Sequence, residues 1–408
     1  MTVPTSDPVA GPAQPDVTSA QVIAKAEAIA PMLVERQAET EERTHYPEDV
    51  HEEFRKAGFY RILVPRRYGG HELGIDTFMR VVLTLTRACP STGWMYCLGH
   101  AHAHAVATLF EERAQDELFA GGDFICPATV VPSGTAERAD GGWVLNGVWS
   151  YCSGAPYATH FMGHTLAPSP NGEPPRPLLF VAPRSTWERL DDWGASLGLK
   201  GSGSHSIAIS GGFVPDRFTL DGHLSRLTVT AGTPGVELHG NPEYGGGPFS
   251  VMILEDAVLA LGMAQGALDA YEELMSARTA PFSEGAPRTE DPDYQLWYGE
   301  AAAMIATGEA AFFNVVQQWR DACAEGPAAF TQERELRMAL ICREVVELCW
   351  RAVEGRLFPT AGSSSVRRGR RIERVWRDLS MLHSHAGVAV FLSTIAKREY
   401  TKARFGVG

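Results

Sequence analysis

The sequence lacks the cysteine pattern of a disulfide framework or a zinc site. Its seven cysteines are odd in number and include no C-x-x-C pair. It also lacks a basic surplus, because 36 Lys and Arg face 49 Asp and Glu, for a formal net charge of -13. Nucleic-acid binding needs a basic surface. We therefore expect no nucleic-acid partner, and a reducing cytoplasm as the compartment.

Long apolar runs and nucleotide-binding motifs are missing as well. The stretch MTVPTSDPVAGPAQPDV has neither a basic start nor an apolar core, and no run reaches the length of a membrane span. We therefore expect neither export nor a membrane partner. The chain contains no G-x-x-x-x-G-K-[ST] motif and no strand-led G-x-G-x-x-G motif. A nicotinamide-dinucleotide domain is accordingly not expected.

What is present divides into helical, strand-rich and helical parts. Residues 18–122 carry apolar side chains at helical spacing, and residues 123–222 carry short alternating runs, including WVLNGVWSY with a central Asn-Gly turn. Residues 248–408 hold four long amphipathic segments, which predicts a four-helix bundle. Residues 1–17 are expected to be a disordered tail and residues 223–247 a connector. The predicted fold class is α+β, mostly α.

The run GHAHAHA places His100, His102 and His104 at every second position. The intervening alanines favour a helix over a strand. On a continuous helix, His100 and His104 share a face and His102 points away. Two ligands without a third make a poor metal site. We therefore expect no metal there.

The order of the parts and two local motifs resemble the acyl-CoA dehydrogenase fold. NGVWSYCSG, residues 146–154, is similar to the turn N-G-x-x-x-W-[IS]-[ST]-x-G that lies beside the flavin ring in that family, one residue shorter. RVWRDLSMLHSHAG resembles the family's helix that ends near an Arg-Asp pair. The resemblance implies an N-terminal helical domain, a central β-barrel-like domain and a C-terminal four-helix bundle.

The dehydrogenases of this family place a catalytic glutamate eight residues after the aspartate of that pair. The same count from Asp378 reaches Ala386. Alanine has no base, which speaks against a dehydrogenase that takes a hydride from its substrate. Because other family members carry the base elsewhere, this alternative stays open, as does a scaffold protein without catalytic activity.

A second branch of the family matches better: the oxygenase components of two-component flavin monooxygenases, such as 4-hydroxyphenylacetate 3-hydroxylase and the aminosugar N-oxygenases. Their Thr-[AG]-Trp signature and the His-x-His pair after it match residues 92–94, His102 and His104, and their late histidine matches His385. Their D-x-W…K-x-[ST]-G-S segment matches DDWGASLGLKGSGS.

This resemblance implies an enzyme that receives reduced flavin, FADH2 or FMNH2, from a separate NAD(P)H-flavin reductase. With O2 it would form a C4a-hydroperoxyflavin and hydroxylate a small aromatic or polycyclic phenol. N-oxygenation of an amine such as an aminosugar uses the same chemistry and stays open. Members of the family are typically homotetramers, which we expect here as well.

The resemblance also implies roles for individual residues. His102 would be a base of near-neutral pKa, or the partner of the phenolate. The Ser153 hydroxyl would hold flavin N5, and His385 would form a second polar wall. The expected flavin contacts are Trp94, Thr129, Tyr151, Cys152, Ser153, Gly154 and Arg278, the last reaching the pyrophosphate of a neighbouring subunit's flavin. The hydroxylases have Trp and Ser where this chain has Tyr151 and Cys152, which leaves the choice of FAD or FMN open.

Overall fold

The structure is a computed structural model, and it describes residues 17–169, 173–281 and 285–407. The predicted tail, residues 1–17, lies outside the described residues except for Val17. The N-terminal part contains the helices α1 Ser19–Glu35, α2 Gln37–Arg43, α3 Glu48–Ala57, α4 Gly74–Ala88, α5 Pro90–His100, α6 His102–Leu109 and α7 Glu112–Leu118. A capping box formed by Thr18 and Gln21 starts α1.

The strands form one mostly antiparallel sheet after these helices. They are β1 Thr135–Ala139, β2 Gly142–Trp149, β3 His160–Ala167, β4 Arg176–Pro183, β5 Glu188–Arg189, β6 Ile207–Pro215 and β7 Thr219–Asp221. The strand order is β5-β6-β2-β1-β3-β4-β7, with β1 and β3 parallel. The long irregular segment before β1 connects the sheet to the helices and carries part of the candidate site.

The predicted Asn-Gly turn inside WVLNGVWSY is wrong. Residues on both sides of Asn146 belong to the continuous strand β2, and a bulge lies between Leu145 and Asn146 in the pairing with β6. The reversal between β1 and β2 occurs earlier, at Asp140 and Gly141, because Ala139 pairs with Gly142. Gly141 has φ +72°, which suits glycine in a tight turn.

The C-terminal part is helical. Its helices are α8 Pro234–His239, α9 Pro248–Ala277, α10 Pro292–Glu325, α11 Gln332–Ala352, α12 Phe358–Thr360, α13 Arg371–His383 and α14 Ala396–Phe405. A π-helical segment, Gly387–Ile395, lies between α13 and α14. The chain bends by 49° there. The fourth predicted helical segment is therefore two helices rather than one.

Helix α9 is the centre of the bundle. It packs against α4, α5, α10, α11 and α13. By length and composition α9 could cross a membrane, but 78% of its most apolar window is buried inside the protein. That burial is what a core helix requires. The packing of α9 on α5 also brings the bundle to the residues after β2 and completes the candidate site.

Candidate active site

The turn after β2 lies directly against helix α5. Gly154 has φ +101°, and a Cβ atom built on it would lie 3.2 Å from Gly99 Cα and 3.3 Å from the Met95 carbonyl oxygen. Glycine is therefore required at position 154 by both backbone conformation and space. The contact places residues 150–154 beside Trp94, one turn earlier on the helix.

A buried hydrogen-bond chain begins at Trp94. Its indole Nε1 donates to Ser153 Oγ at 2.9 Å. Ser153 Oγ lies 2.8 Å from Ser204 Oγ, which lies 2.6 Å from Ser202 Oγ. None of the three serines is more than 5% exposed. Ser202 and Ser204 belong to the KGSGS motif, but the sequence alone gave them no role, because their partner Ser153 is about 50 residues away.

The two residues before Ser153 point in opposite directions. Tyr151 has φ +64° and is 68% exposed, with its ring edge-to-face on Trp193 at 5.6 Å between centroids. Cys152 is fully buried, and its Sγ donates to the Trp149 carbonyl. Burial raises the pKa of the Cys152 thiol. Its side chain therefore belongs to the core, and only its backbone remains for contact with a ligand.

Four imidazole rings hold the irregular segment of residues 124–130. Each ring donates one hydrogen bond to a different main-chain carbonyl, since a carbonyl oxygen can only accept. The pairs are His100 Nδ1 with Phe124 at 2.9 Å, His102 Nδ1 with Cys126 at 2.9 Å, His164 Nδ1 with Thr129 at 2.8 Å and His223 Nε2 with Val130 at 2.6 Å. This histidine clamp, as we call these four residues, fixes a segment with almost no regular secondary structure.

The prediction that His102 points away from His100 is wrong. The helix is interrupted at Ala101, where α5 ends and α6 begins, and the Gly99 carbonyl accepts the Cys126 N–H at 2.6 Å. His100 and His102 therefore both reach the segment of residues 124–130. His104 donates elsewhere, to the Glu243 carbonyl at 2.8 Å.

His102 differs from the other members of the clamp in its second ring nitrogen. His100, His164 and His223 accept a backbone N–H at theirs. The hydrogen bonds of His102 with described residues all involve Nδ1, which also lies 3.0 Å from the Leu98 carbonyl. Burial lowers the pKa of His102 to about 4. The ring is therefore neutral, with an unused lone pair on Nε2.

Thr129 carries a hydroxyl without a partner. Its Oγ1 is buried and makes no hydrogen bond with any described residue. The backbone around it is fully engaged, since its N–H donates to the Met162 carbonyl and its carbonyl accepts from His164. A buried polar atom without a partner is unfavourable unless a ligand completes it.

His385 lies on the bundle side of Trp94. The two rings meet edge-to-face with 5.9 Å between centroids, and His385 Nδ1 lies 3.8 Å from Asp256 Oδ1. Asp256 and the adjacent Glu255 on α9 have raised pKa values because they are buried. Glu255 is 4% exposed, and no hydrogen bond joins its side chain to the described residues. Sequence reasoning missed this acid pair, although two carboxylates inside the apolar run VMILEDAVLA were the available signal.

The structure does not bring Arg278 to this cluster within one chain. It follows the last residue of α9, about 33 Å along the helix from Asp256 at 1.5 Å per residue. Its guanidinium donates to Ser364 Oγ at 2.6 Å. Nearby, buried Arg288 has an Nε without a partner among the described residues, and so has Ser365 Oγ. These residues form a second polar site, distant from Ser153.

Within residues 17–169, 173–281 and 285–407, no three or more His, Cys, Asp or Glu residues are grouped so that they could hold a metal ion. The histidines of GHAHAHA instead have main-chain partners, as described above.

Two family models match this chain. The acyl-CoA dehydrogenase N-terminal domain matches residues 20–118, and the acyl-CoA dehydrogenase C-terminal domain matches residues 255–390. Together they span more than half of the chain. The chain belongs to the acyl-CoA dehydrogenase family, and the predicted fold class is confirmed.

Similar proteins with known functions indicate the class of enzyme within this family. The oxygenase subunit HsaA, a flavin-dependent monooxygenase of Rhodococcus jostii, is 29% identical over 88% of this chain and 91% of its own length. The indole-3-acetate monooxygenase of Pseudomonas putida is 29% identical over 74% of this chain and 75% of its own. The solved structure of 3-HSA hydroxylase from Rhodococcus sp. RHA1 superposes with a TM-score of 0.85 and 25% identity, covering 95% of this chain and 97% of that one.

Within its family the chain is a flavin-dependent monooxygenase, the oxygenase component of a two-component system. It uses reduced flavin and O2 and works with a separate flavin reductase on a small-molecule substrate. The predictions of enzyme class and cofactor are confirmed.

The residues present fit a flavin. The unpartnered Thr129 hydroxyl and the Ser153 hydroxyl lie on the two segments that the histidine clamp and the Gly99–Gly154 contact hold in place. Both are small hydroxyl groups, which suit hydrogen bonds to the polar edge of a flat heteroaromatic ring.

Proposed function

We propose that this monooxygenase hydroxylates a small aromatic or polycyclic phenol bound between His102, Trp94 and His385. The unused Nε2 of His102 carries this proposal, because every other ring of the clamp has both nitrogens bound to protein. Reduced flavin, when bound, would supply the two electrons that activate O2, of which one oxygen atom goes to the phenol and the other leaves as water.

His102 acts as a hydrogen-bond acceptor for the phenol. With a pKa near 4 the ring is too weak a base to hold a full phenolate as an ion pair. Its Nε2 lone pair accepts the phenol O–H and increases the electron density of the ring that the electrophilic oxygen attacks. This role differs from the near-neutral base that the sequence favoured, because burial of the imidazole lowers its pKa.

The expected flavin contacts at and near the turn after β2 differ in how each residue meets the ligand. Ser153, Gly154, Thr129 and Trp94 line the ring, Tyr151 covers the exposed edge of the turn, and Cys152 contributes its backbone alone. Trp94 also anchors the Ser153 hydroxyl. His385, next to Trp94, forms the far wall of the substrate site.

Arg278 binds the pyrophosphate of a neighbouring subunit's flavin. Because Arg278 lies far from Ser153 within one chain, this contact needs a second subunit, as in the homotetramer that the family resemblance implies. The unpartnered Arg288 Nε and Ser365 Oγ beside it suit an anion. We also propose the domain division 18–122, 123–222, 223–247 and 248–408, and a cytoplasmic location.

N-oxygenation of an amine is the second candidate function. The carboxyl group of Asp256, 3.8 Å from His385, favours it, since a carboxylate suits a substrate that carries a hydrogen-bond donor or a cation. The relatives named as an indole-3-acetate monooxygenase and a 3-HSA hydroxylase favour the aromatic substrate.

A reconstituted reaction tests the proposal. The protein is mixed anaerobically with photoreduced FMN or FAD and then with 18O2 in the presence of a panel of phenols and a panel of amines. We expect a long-lived absorbance transient and phenols that gain one 18O atom. Oxygenated amines with unchanged phenols would establish the second candidate. Hydrogen peroxide as the only product with both panels would overturn the proposal.

A further inference from the structure

We infer that Ser204 and Ser202 are positioning residues that hold the Ser153 hydroxyl as a hydrogen-bond donor toward the flavin. The inference rests on the proposed contact between Ser153 and the flavin ring. It concerns the direction of that hydrogen bond, which the position of Ser153 alone leaves undetermined.

The direction follows from counting protons in the chain. The Trp94 indole N–H can only donate, and it donates to Ser153 Oγ. Ser202, Ser204 and Ser153 each carry one hydroxyl proton and are joined in series by contacts of 2.6 and 2.8 Å. The three hydroxyl protons can therefore be ordered along the chain in three ways.

In the first order, Ser202 donates to Ser204 and Ser204 donates to Ser153. Every proton in the chain is then used except that of Ser153. In the reverse order, the Ser202 proton has no acceptor among the described residues, because Ser204 is the one hydrogen-bond partner of its side chain. Ser202 is 0% exposed, so water does not replace that acceptor. In the third order, Ser202 and Ser153 both donate to Ser204, and the proton of Ser204, which is 3% exposed, has no acceptor among the described residues. A buried donor without a partner is unfavourable, and the first order is favoured.

In the first order, the Ser153 hydroxyl can still donate a hydrogen bond but can no longer accept one. Its oxygen accepts two hydrogen bonds, from Trp94 and from Ser204, which occupies both lone pairs. It therefore cannot accept a proton from flavin N5–H. It can only donate, to an acceptor atom of the ring such as N5 of oxidised flavin or the C4 carbonyl oxygen.

The chain offers a matched control for Ser204. Ser206 is two residues further along, is 4% exposed, and donates its hydroxyl to Ser150 Oγ at 3.1 Å. The substitution Ser206→Ala therefore removes a buried hydroxyl from the same segment without touching the path from Trp94 to Ser202.

Nuclear magnetic resonance of bound oxidised flavin labelled with 15N at N5 and 13C at C4 tests the inference without turnover. In the unsubstituted protein we expect one of these resonances at the position of a hydrogen-bonded atom. Ser153→Ala and Ser204→Ala should both move it toward the position of a free acceptor, and Ser206→Ala should leave it unchanged. Ser202→Ala provides a second variant if Ser204→Ala does not fold.

Two results of the same experiment would contradict the inference. A resonance unchanged by Ser204→Ala and Ser202→Ala but moved by Ser153→Ala would show that Ser153 donates without the chain. Resonances of unbonded atoms in the unsubstituted protein would show that Ser153 does not donate. Either result overturns the inference while the proposed function stands, because that function fails only if the protein forms no oxygenated phenol.

Discussion

His100 and His102, two residues apart in the chain, donate from Nδ1 to the carbonyls of Phe124 and Cys126, which are also two residues apart. In an extended segment, alternate carbonyls point to the same side. The spacing of the two histidines thus matches the repeat of the segment they hold. The spacing of His100 and His102 therefore reflects the extended segment that they hold rather than the conformation of their own chain.

A substitution of His102 can test the roles of its two ring nitrogens separately. In His102→Asn the amide keeps a donor near Nδ1 for the Cys126 carbonyl but removes the Nε2 lone pair. We expect product formed per reduced flavin oxidised to fall on the order of tenfold to a thousandfold, with the absorbance transient after O2 mixing still formed. Product and hydrogen peroxide are quantified together.

His100→Asn is the control for this change. Both ring nitrogens of His100 bind protein groups, Phe124 and Leu63, so its loss should lower stability rather than coupling. Loss of product in His100→Asn with a silent His102→Asn would contradict the assignment of His102.

Removing the Thr129 hydroxyl should have opposite effects on the free and the flavin-bound protein. Thr129→Val keeps the shape of the side chain and eliminates a buried atom without a partner. We expect the free energy of unfolding of the flavin-free protein to rise by about 1 kcal/mol and the Kd for flavin to increase. Urea unfolding and equilibrium dialysis measure the two quantities.

Thr165→Val provides the comparison, because Thr165 Oγ1 on β3 is also buried without a partner among the described residues. It should raise stability and leave the Kd for flavin unchanged. Equal effects of both variants on the Kd would argue against a flavin contact at Thr129.

The identity of the flavin can be tested through Arg278. If its guanidinium binds a pyrophosphate, Arg278→Ala should weaken FAD binding by about tenfold or more and affect riboflavin little. Arg113→Ala, at an exposed ion pair with Glu117, controls for loss of a surface charge. Equal loss for riboflavin and FAD would place Arg278 in a structural role, bonded to Ser364.

The carboxyl group of Asp256, 3.8 Å from His385, should govern substrate charge. Asp256→Asn removes this carboxyl group and retains the size of the side chain. We expect KM to fall several-fold for aromatic substrates that bear a carboxylate and to rise for those that bear an amine, with smaller changes in kcat. A uniform change in KM for both classes would show that Asp256 does not face the substrate.

The burial of His100 in the histidine clamp predicts that the stability of the protein depends on pH. Burial lowers the pKa of His100 from 6.5 to about 4. The unfolded chain therefore takes up a proton as pH falls below about 6.5, which the folded chain resists until about pH 4. Between about pH 7 and about pH 5, the unsubstituted protein should lose about 1–2 kcal/mol more stability than His100→Asn.

Urea unfolding at both pH values measures this difference. Comparison with the variant removes the contribution of buried acids such as Asp378, whose pKa burial raises to about 7 and whose effect has the opposite sign. An equal pH dependence in both proteins would show that His100 is not held neutral.

The sequence was sufficient for the fold because helical and alternating patterns are local, and because the turn at residues 146–154 and the Arg-Asp pair carry family motifs. The interruption at Ala101 was not predictable from local pattern. It coincides with a hydrogen bond from Cys126, 27 residues beyond Gly99. Alanine-rich flanks therefore favoured one continuous helix where tertiary contacts produced two.

Individual residues of the candidate site could be predicted from the sequence, but the hydrogen bonds that join them could not. Ser153, Trp94 and His102 stand in recognisable motifs, yet the tautomer of His102 depends on the Cys126 carbonyl, and the state of the Ser153 hydroxyl depends on Ser202 and Ser204. These relations join distant positions in the chain. The pKa of His102 likewise depends on burial that no short stretch of sequence encodes.

The close approach of Gly99 and Gly154 limits how this enzyme can be altered. A Cβ atom at position 154 would lie 3.2 Å from Gly99 Cα and 3.3 Å from the Met95 carbonyl oxygen, and the φ of +101° there is one that residues with side chains rarely adopt, so a substitution at position 154 would strain the contact between α5 and the turn after β2. In the proposed site, variation in substrate range would come from the bundle side, where α9 and His385 contribute side chains. A library for new substrates should accordingly randomise the bundle side and leave the glycine contact intact.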